Sequence, residues 1–118
     1  MLNETQALEL AKDPNKIISA EDCNTVIAFL NGFIVDLALT EFEGQIAADN
    51  ELAKLLHTEG KTNAVATVEW RLSDTYRQWR LLKLELAKLR AYRKVLQKKE
   101  EMLTFTSRRT RDNYDRVI

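Results

Sequence analysis

The sequence predicts an all-α protein: two long helices folded back as an antiparallel coiled-coil hairpin, preceded by a short N-terminal helix and oligomerising. Three observations lead there. The chain of 118 residues has only 3 Gly and 1 Pro, too few turn formers for a β architecture. Apolar residues recur at steps of three and four over two long stretches, which is the spacing of a helix face and not of a strand. A short polar segment, His57-Thr58-Glu59-Gly60, separates those stretches. At this length residues 1–118 make a single helical domain.

Residues 1–14 read as a short helix or arm. Asn3 or Thr5 caps it, and Asp13-Pro14 ends it, because proline lacks an amide donor and restricts the residue before it. An acidic long helix follows over 19–58, opened by Ser19-Ala20-Glu21-Asp22, a capping box with Asp in place of the usual Glu. Its apolar face is Cys23, Ile27, Leu30, Ile34 and Leu37; after a drift of phase, Phe42, Ile46, Leu52 and Leu56 continue it. Gly32 and Gly44 each cost roughly 1 kcal/mol against Ala in a helix interior, so Gly44 is where a kink or break is expected.

His57 to Gly60 reads as a helix end, with a dipolar side chain in the last turn and then a glycine able to take the left-handed conformation. Thr62 or Asn63 caps a basic long helix over 62–106, a rod of roughly 65 Å at about 1.5 Å per residue. Its heptads place Val65, Leu72, Trp79, Leu86, Arg93 and Glu100 at a, and Val68, Thr75, Leu82, Leu89, Leu96 and Leu103 at d. A second set, Trp70, Leu81, Leu84, Ala91, Val95 and Met102, lies on the opposite side, where the same partner helix cannot reach. A two-helix hairpin has little core of its own. Trp70, Leu81, Leu84, Val95 and Met102 are therefore the expected homo-oligomer interface, and residues 107–118 the expected basic tail.

Composition narrows the function. Residues 1–60 hold three basic residues against eleven acidic, and residues 61–118 fifteen against seven, so a net charge of zero conceals two opposite halves. No run of about 18 uncharged apolar residues occurs, and Glu4 and Glu9 stand where a signal peptide would be basic and then apolar. A soluble, cytoplasmic protein without a membrane partner is expected. Cys23 is the single cysteine, which rules out an intramolecular disulfide and suits a reducing compartment.

No catalytic or metal chemistry assembles. Gly60-Lys61-Thr62 ends like a phosphate-binding loop, but Leu55 occupies the position of the required first glycine, and a helix precedes it where the motif needs a strand. One His and one Cys make no metal site of ordinary ligand spacing, and no nucleophile-base-acid set forms around His57. Glu41 and Glu43 lie on different helix faces. The expectation is a non-enzymatic protein without cofactor or metal.

The basic run carries more. Between Arg77 and Lys99 nine basic residues accompany Glu85 alone. Arg80, Lys83, Arg90, Lys94 and Lys98 form a stripe, with Tyr76 at its start and Tyr92 beside it; cations beside aromatic faces suit single-stranded nucleic acid. The candidate nucleic-acid-binding residues are Arg80, Lys83, Lys88, Arg90, Arg93, Lys94, Lys98 and Tyr92, extended by Arg108, Arg109 and Arg111. The competing reading is neutralisation across the hairpin. A turn near Gly60 brings Glu43 near Arg77, Glu41 near Arg80, and Glu21-Asp22 near Lys98 and Lys99, pairs that would set register more than stability. The segment opposite Lys88 to Lys94, Ile27 to Phe33, has no carboxylate. Trp79 at the seam and Trp70 in the apolar stripe read as core.

A short helical chain with a long basic helix containing aromatics, here Trp70 to Met102, with Lys61-Thr62 before it and Ser107-Arg108-Arg109 after it, resembles the UvsY-like recombination mediators of phages over residues 40–111. The resemblance implies an oligomeric helical protein that binds single-stranded DNA and helps load a recombinase over single-strand-binding protein. It transfers no individual residue. The alternative expectation is a helical protein-protein adaptor, such as a phage assembly chaperone or an inhibitor of a host defence protein, whose partner is another phage or host protein.

Overall fold

The computed structural model describes residues 2–117, with side chains described for residues 2–106. Its elements are α1 (Glu4–Lys12), a 3-10 turn (Pro14–Lys16), α2 (Ala20–Leu56), α3 (Asn63–Leu72) and α4 (Asp74–Val117), with no strand among the described residues. The long helices α2 and α4 pack against each other. The chain divides into two compact units, residues 1–33 with 89–118 and residues 34–88, and both long helices contribute to each.

In the first unit α1 opens on a full capping box: the Asn3 side chain accepts from the Gln6 amide at 2.8 Å, and Gln6 Oε1 accepts from the Asn3 amide at 3.1 Å. Asn3, not Thr5, is the cap. Ser19 Oγ accepts from the Asp22 amide at 3.1 Å and so starts α2, as Ser19 in a capping position should. The core gathers Ala7, Ala11, Ile17, Cys23, Val26 and Leu30 with Leu89 and Leu96 of α4. Cys23 Sγ donates to the Leu96 carbonyl at 3.2 Å, and Arg93 Nη1 to Asn31 Oδ1 at 3.1 Å. Both contacts join α2 to α4 in the antiparallel sense. Full burial of a leucine such as Leu30 or Leu96 contributes about 1.5–3 kcal/mol.

The second unit corrects the expected phase of α2. There is no drift after Leu37: Ile34, Leu37, Glu41, Gly44, Ala48, Glu51 and Leu55 keep one heptad and are buried or half-buried, while of the expected continuation Leu52 is half-buried and Phe42, Ile46 and Leu56 are exposed. The reason is volume on the facing helices. Trp79 Nε1 donates to Glu41 Oε1 at 2.9 Å and Trp70 Nε1 to the Ala48 carbonyl at 2.7 Å. The rings of Trp70 and Tyr76 lie 4.6 Å apart and those of Tyr76 and Trp79 5.8 Å. The Trp70 indole reaches Ala48, while Leu82 and the Cα and Cβ of Trp79 take the room left by Gly44. A Cβ on Gly44 would stand 3.1 Å from Leu82 Cδ1 and 3.7 Å from Trp79 Cα, so this glycine permits close approach and α2 runs unbroken through it.

At the helix end Gly60 takes φ +82°, the left-handed conformation expected of it. Thr62 Oγ1 accepts from the Val65 amide at 3.2 Å and caps α3. Lys61 pairs with Glu69. The helix expected over 62–106 is in fact two, divided at Ser73, whose backbone is extended at φ −74° and ψ 153°. Ser73 Oγ donates to the Trp70 carbonyl at 2.6 Å and accepts from the Tyr76 amide at 3.4 Å, closing α3 and opening α4. The break resets the rotation of α3: Val65, Val68 and Leu72 are exposed, while Ala66 is buried and Trp70 half-buried. At its other end α4 continues as helix to Val117 where a tail from residue 107 was expected; nothing after Gly60 is Gly or Pro.

Among the described residues, α2 is the one helix long and apolar enough, by length and composition, to cross a membrane. The cause is apolar residues on two opposite faces, the seam and an outer stripe, with Asp36 the single charged residue between Cys23 and Thr40.

Candidate nucleic-acid interface

Along α4 the inward positions in the first unit are Leu89, Arg93, Leu96, Glu100 and Leu103, all buried or half-buried. Helical spacing then turns Arg90, Lys94 and Lys98 outward, and all three are exposed. Steps of four residues separate them, a rise of about 6 Å per step. None forms an ion pair or side-chain hydrogen bond among the described residues. Glu21 and Asp22, expected to neutralise Lys98 and Lys99, are exposed and make no ion pair among the described residues. Arg93 is half-buried and held by Asn31. Tyr92 is half-buried and engaged in a contact of its own. Arg108, Arg109 and Arg111 have side chains outside the described residues.

Behind this surface Cys23 is fully buried. Burial first, and then the nearby Glu100 carboxylate, push its thiol above the ordinary range against the opposing pull of Lys99. It is a packing residue, neutral and hydrogen-bonded.

In the second unit the expected cross-helix pairs are again replaced. Glu41 spends its carboxylate on the Trp79 indole, and Glu43 is exposed without an ion pair among the described residues. Arg77 and Arg80 are exposed and likewise unpaired among those residues. Lys83 Nζ sits 4.7 Å from the Trp79 ring centroid, a cation–π contact, and Lys88 pairs with Glu85 at 3.8 Å. Trp70, Tyr76 and Trp79 form one cluster, so none of them is a free stacking platform. Of the expected oligomer interface, Leu81, Leu84, Val95 and Met102 are exposed, whereas Trp70 turns inward to α2.

The sequence reading missed a further exposed stripe on α2, Val35, Leu39, Phe42 and Ile46. Its signal was available: the phase Leu30, Ile34, Leu37, once continued through Glu41 and Gly44, leaves those four on the far side. Among the described residues no group of three or more His, Cys, Asp and Glu could hold a metal ion. Gly60-Lys61-Thr62 is a helix-to-helix turn with its lysine committed to Glu69. Comparison with protein-family models, curated proteins and solved structures finds no match.

Proposed function

We propose that this chain is a non-enzymatic, self-associating accessory protein that binds single-stranded DNA without sequence preference, through Arg90, Lys94 and Lys98 of α4. The observation that carries the reading is that these three cations are exposed and unpaired among the described residues: α2 has no carboxylate over 27–33, and Glu21 and Asp22 form no ion pair with them. Contact is with phosphates more than with bases, because the tryptophans and Tyr76 are engaged in packing. The single strand in this reading comes from the UvsY-like resemblance; the row itself, with a rise of about 6 Å per step and a tilt to the axis of α4, holds phosphates electrostatically without distinguishing one strand from two. A recombination-mediator role, as the UvsY-like resemblance implies, belongs to this reading.

Fluorescence anisotropy with a labelled single-stranded oligonucleotide tests it. Three phosphates neutralised per chain give a slope near −2 in log affinity against log salt, hence about a twentyfold loss between about 50 and 200 mM. No binding at low salt would overturn it. The second reading, a protein-protein adaptor whose partner is a phage or host protein, is favoured by the exposed apolar stripe of α2; it predicts no affinity for the oligonucleotide at any salt.

A further inference from the structure

The outer stripe of α2 within residues 34–88 is apolar for four successive positions at steps of four, three and four. Val35, Leu39, Phe42 and Ile46 are 59, 62, 59 and 46% exposed. They lie on the side of α2 opposite its seam, out of reach of the helices that pack on Gly44 and Ala48. Isolated exposed leucines are ordinary, but a contiguous apolar row on a helix marks an interaction surface. Charge decides what covers it. Asp36 and Glu43 flank the row on one side and Asp49 on the other, all exposed. A like row from another copy would set carboxylates against carboxylates.

In the same unit α4 offers the complementary surface. Leu81 and Leu84 are 66 and 59% exposed, and a hollow lined by Gln78, Leu81, Leu82 and Glu85 opens beside them. Arg77 and Arg80 lie one turn before Leu81 and Leu84 on the same face of α4, exposed and without a carboxylate partner among the described residues. Two copies meeting through this face alone would bring the arginines of both together with only Glu85 between them, and Glu85 is already paired with Lys88. Only the crossed pairing joins apolar to apolar and acid to base.

We infer that the acid-flanked face of α2 docks on the arginine-flanked face of α4 in a second copy of this chain. The inference deepens the self-association part of the proposed function by naming its surfaces. Such a contact is heterologous, so each copy keeps one face free and assembly proceeds to a ring or an open chain of subunits. Arg80 then serves assembly and leaves DNA to Arg90, Lys94 and Lys98.

Sedimentation velocity on the full chain without DNA tests this, with circular dichroism to verify that helix content is retained. The wild type is expected to associate with rising concentration. Phe42→Glu and Leu84→Glu, both at exposed positions, are each expected to weaken association at least about tenfold. Mixed in equal amounts, the two variants are expected to associate again and stop at a heterodimer, since one intact α2 face meets one intact α4 face. Should helix content fall, Glu43→Arg and Arg80→Glu replace them: each alone weakens association, and the double variant recovers it. Continued assembly of either Glu variant by itself would mean like-with-like pairing and overturn the inference. So would a wild-type monomer at high micromolar concentration, or a monomer that instead co-sediments with phosphatidylcholine vesicles. With no DNA present, failure here is distinguishable from failure of the nucleic-acid reading.

Discussion

Substituting the two helical glycines of α2 should produce different results. Gly32 has nothing within 4 Å of an added Cβ, so Gly32→Ala gains helix propensity at no steric cost, about 0.8–1.0 kcal/mol. For a chain between the small-domain and medium-domain ranges, that raises Tm by roughly 3–6 °C. Gly44→Ala gains the same propensity but places its methyl 3.1 Å from Leu82 Cδ1. Leu82 is half-buried and contacts with the end of its side chain, so it yields by a few tenths of an ångström and the net change is near zero. Gly44→Val cannot be absorbed this way, because its branches are driven toward Trp79, whose Cα and Cβ lie 3.7 and 3.8 Å from the position of the added Cβ. Overpacking of that kind costs about 1–3 kcal/mol. Thermal and urea unfolding followed by circular dichroism give all three values. If Gly44→Val is as stable as Gly32→Ala, then Gly44 does not face Trp79 and the single heptad phase of α2 is wrong.

Other consequences follow from the same contacts. Trp79→Phe removes the indole donor from half-buried Glu41 and should cost about 1–3 kcal/mol in urea unfolding, with Glu41→Gln recovering part of the loss in the Phe background. Ser73→Ala deletes the hydroxyl that caps α4 and should cost about 1 kcal/mol; Thr106→Ala, at an exposed position, should leave stability unchanged. Burial raises the folded-state pKa of Cys23 above its ordinary value of 9.0, so the unfolded chain loses that proton first. The contribution of the buried thiol is therefore complete below the ordinary value and is lost as pH rises through the folded one. Stability should fall on that alkaline side by up to about 1.4 kcal/mol per pH unit more in the wild type than in Cys23→Ser; parallel pH profiles would contradict the buried neutral thiol.

Features set by a residue's own neighbours were readable in the sequence. Asn3 and Ser19 cap because a small polar acceptor precedes free amides, and Gly60 turns left-handed because it alone lacks a Cβ there. The inward face of α4 from Trp79 to Leu103 was readable too, since its seam is mostly large and apolar. What failed depended on a partner's volume. Glu41, Gly44 and Ala48 carry no hydrophobic signal of their own and face inward because Trp70 and Trp79 fill the space opposite them; a pattern read on one helix follows Phe42 and Ile46 instead. Ser73 was passed over because Leu72 and Thr75 keep heptad spacing across it while its hydroxyl diverts the backbone bonds. For the candidate site, charge located the basic face, but only distances could separate Arg90, Lys94 and Lys98, without a partner among the described residues, from Arg93, Lys83 and Lys88, which already have partners.

Two charge-reversal variants compared in one anisotropy titration at low salt test the central claim most directly. Arg90→Glu/Lys94→Glu/Lys98→Glu should abolish binding of a single-stranded oligonucleotide and Arg71→Glu, at an exposed position of α3 outside both proposed surfaces, should leave it within about threefold, with helical circular dichroism retained in both. Equal losses in the two variants, or none in the first, would contradict the assignment of DNA to the exposed row of α4.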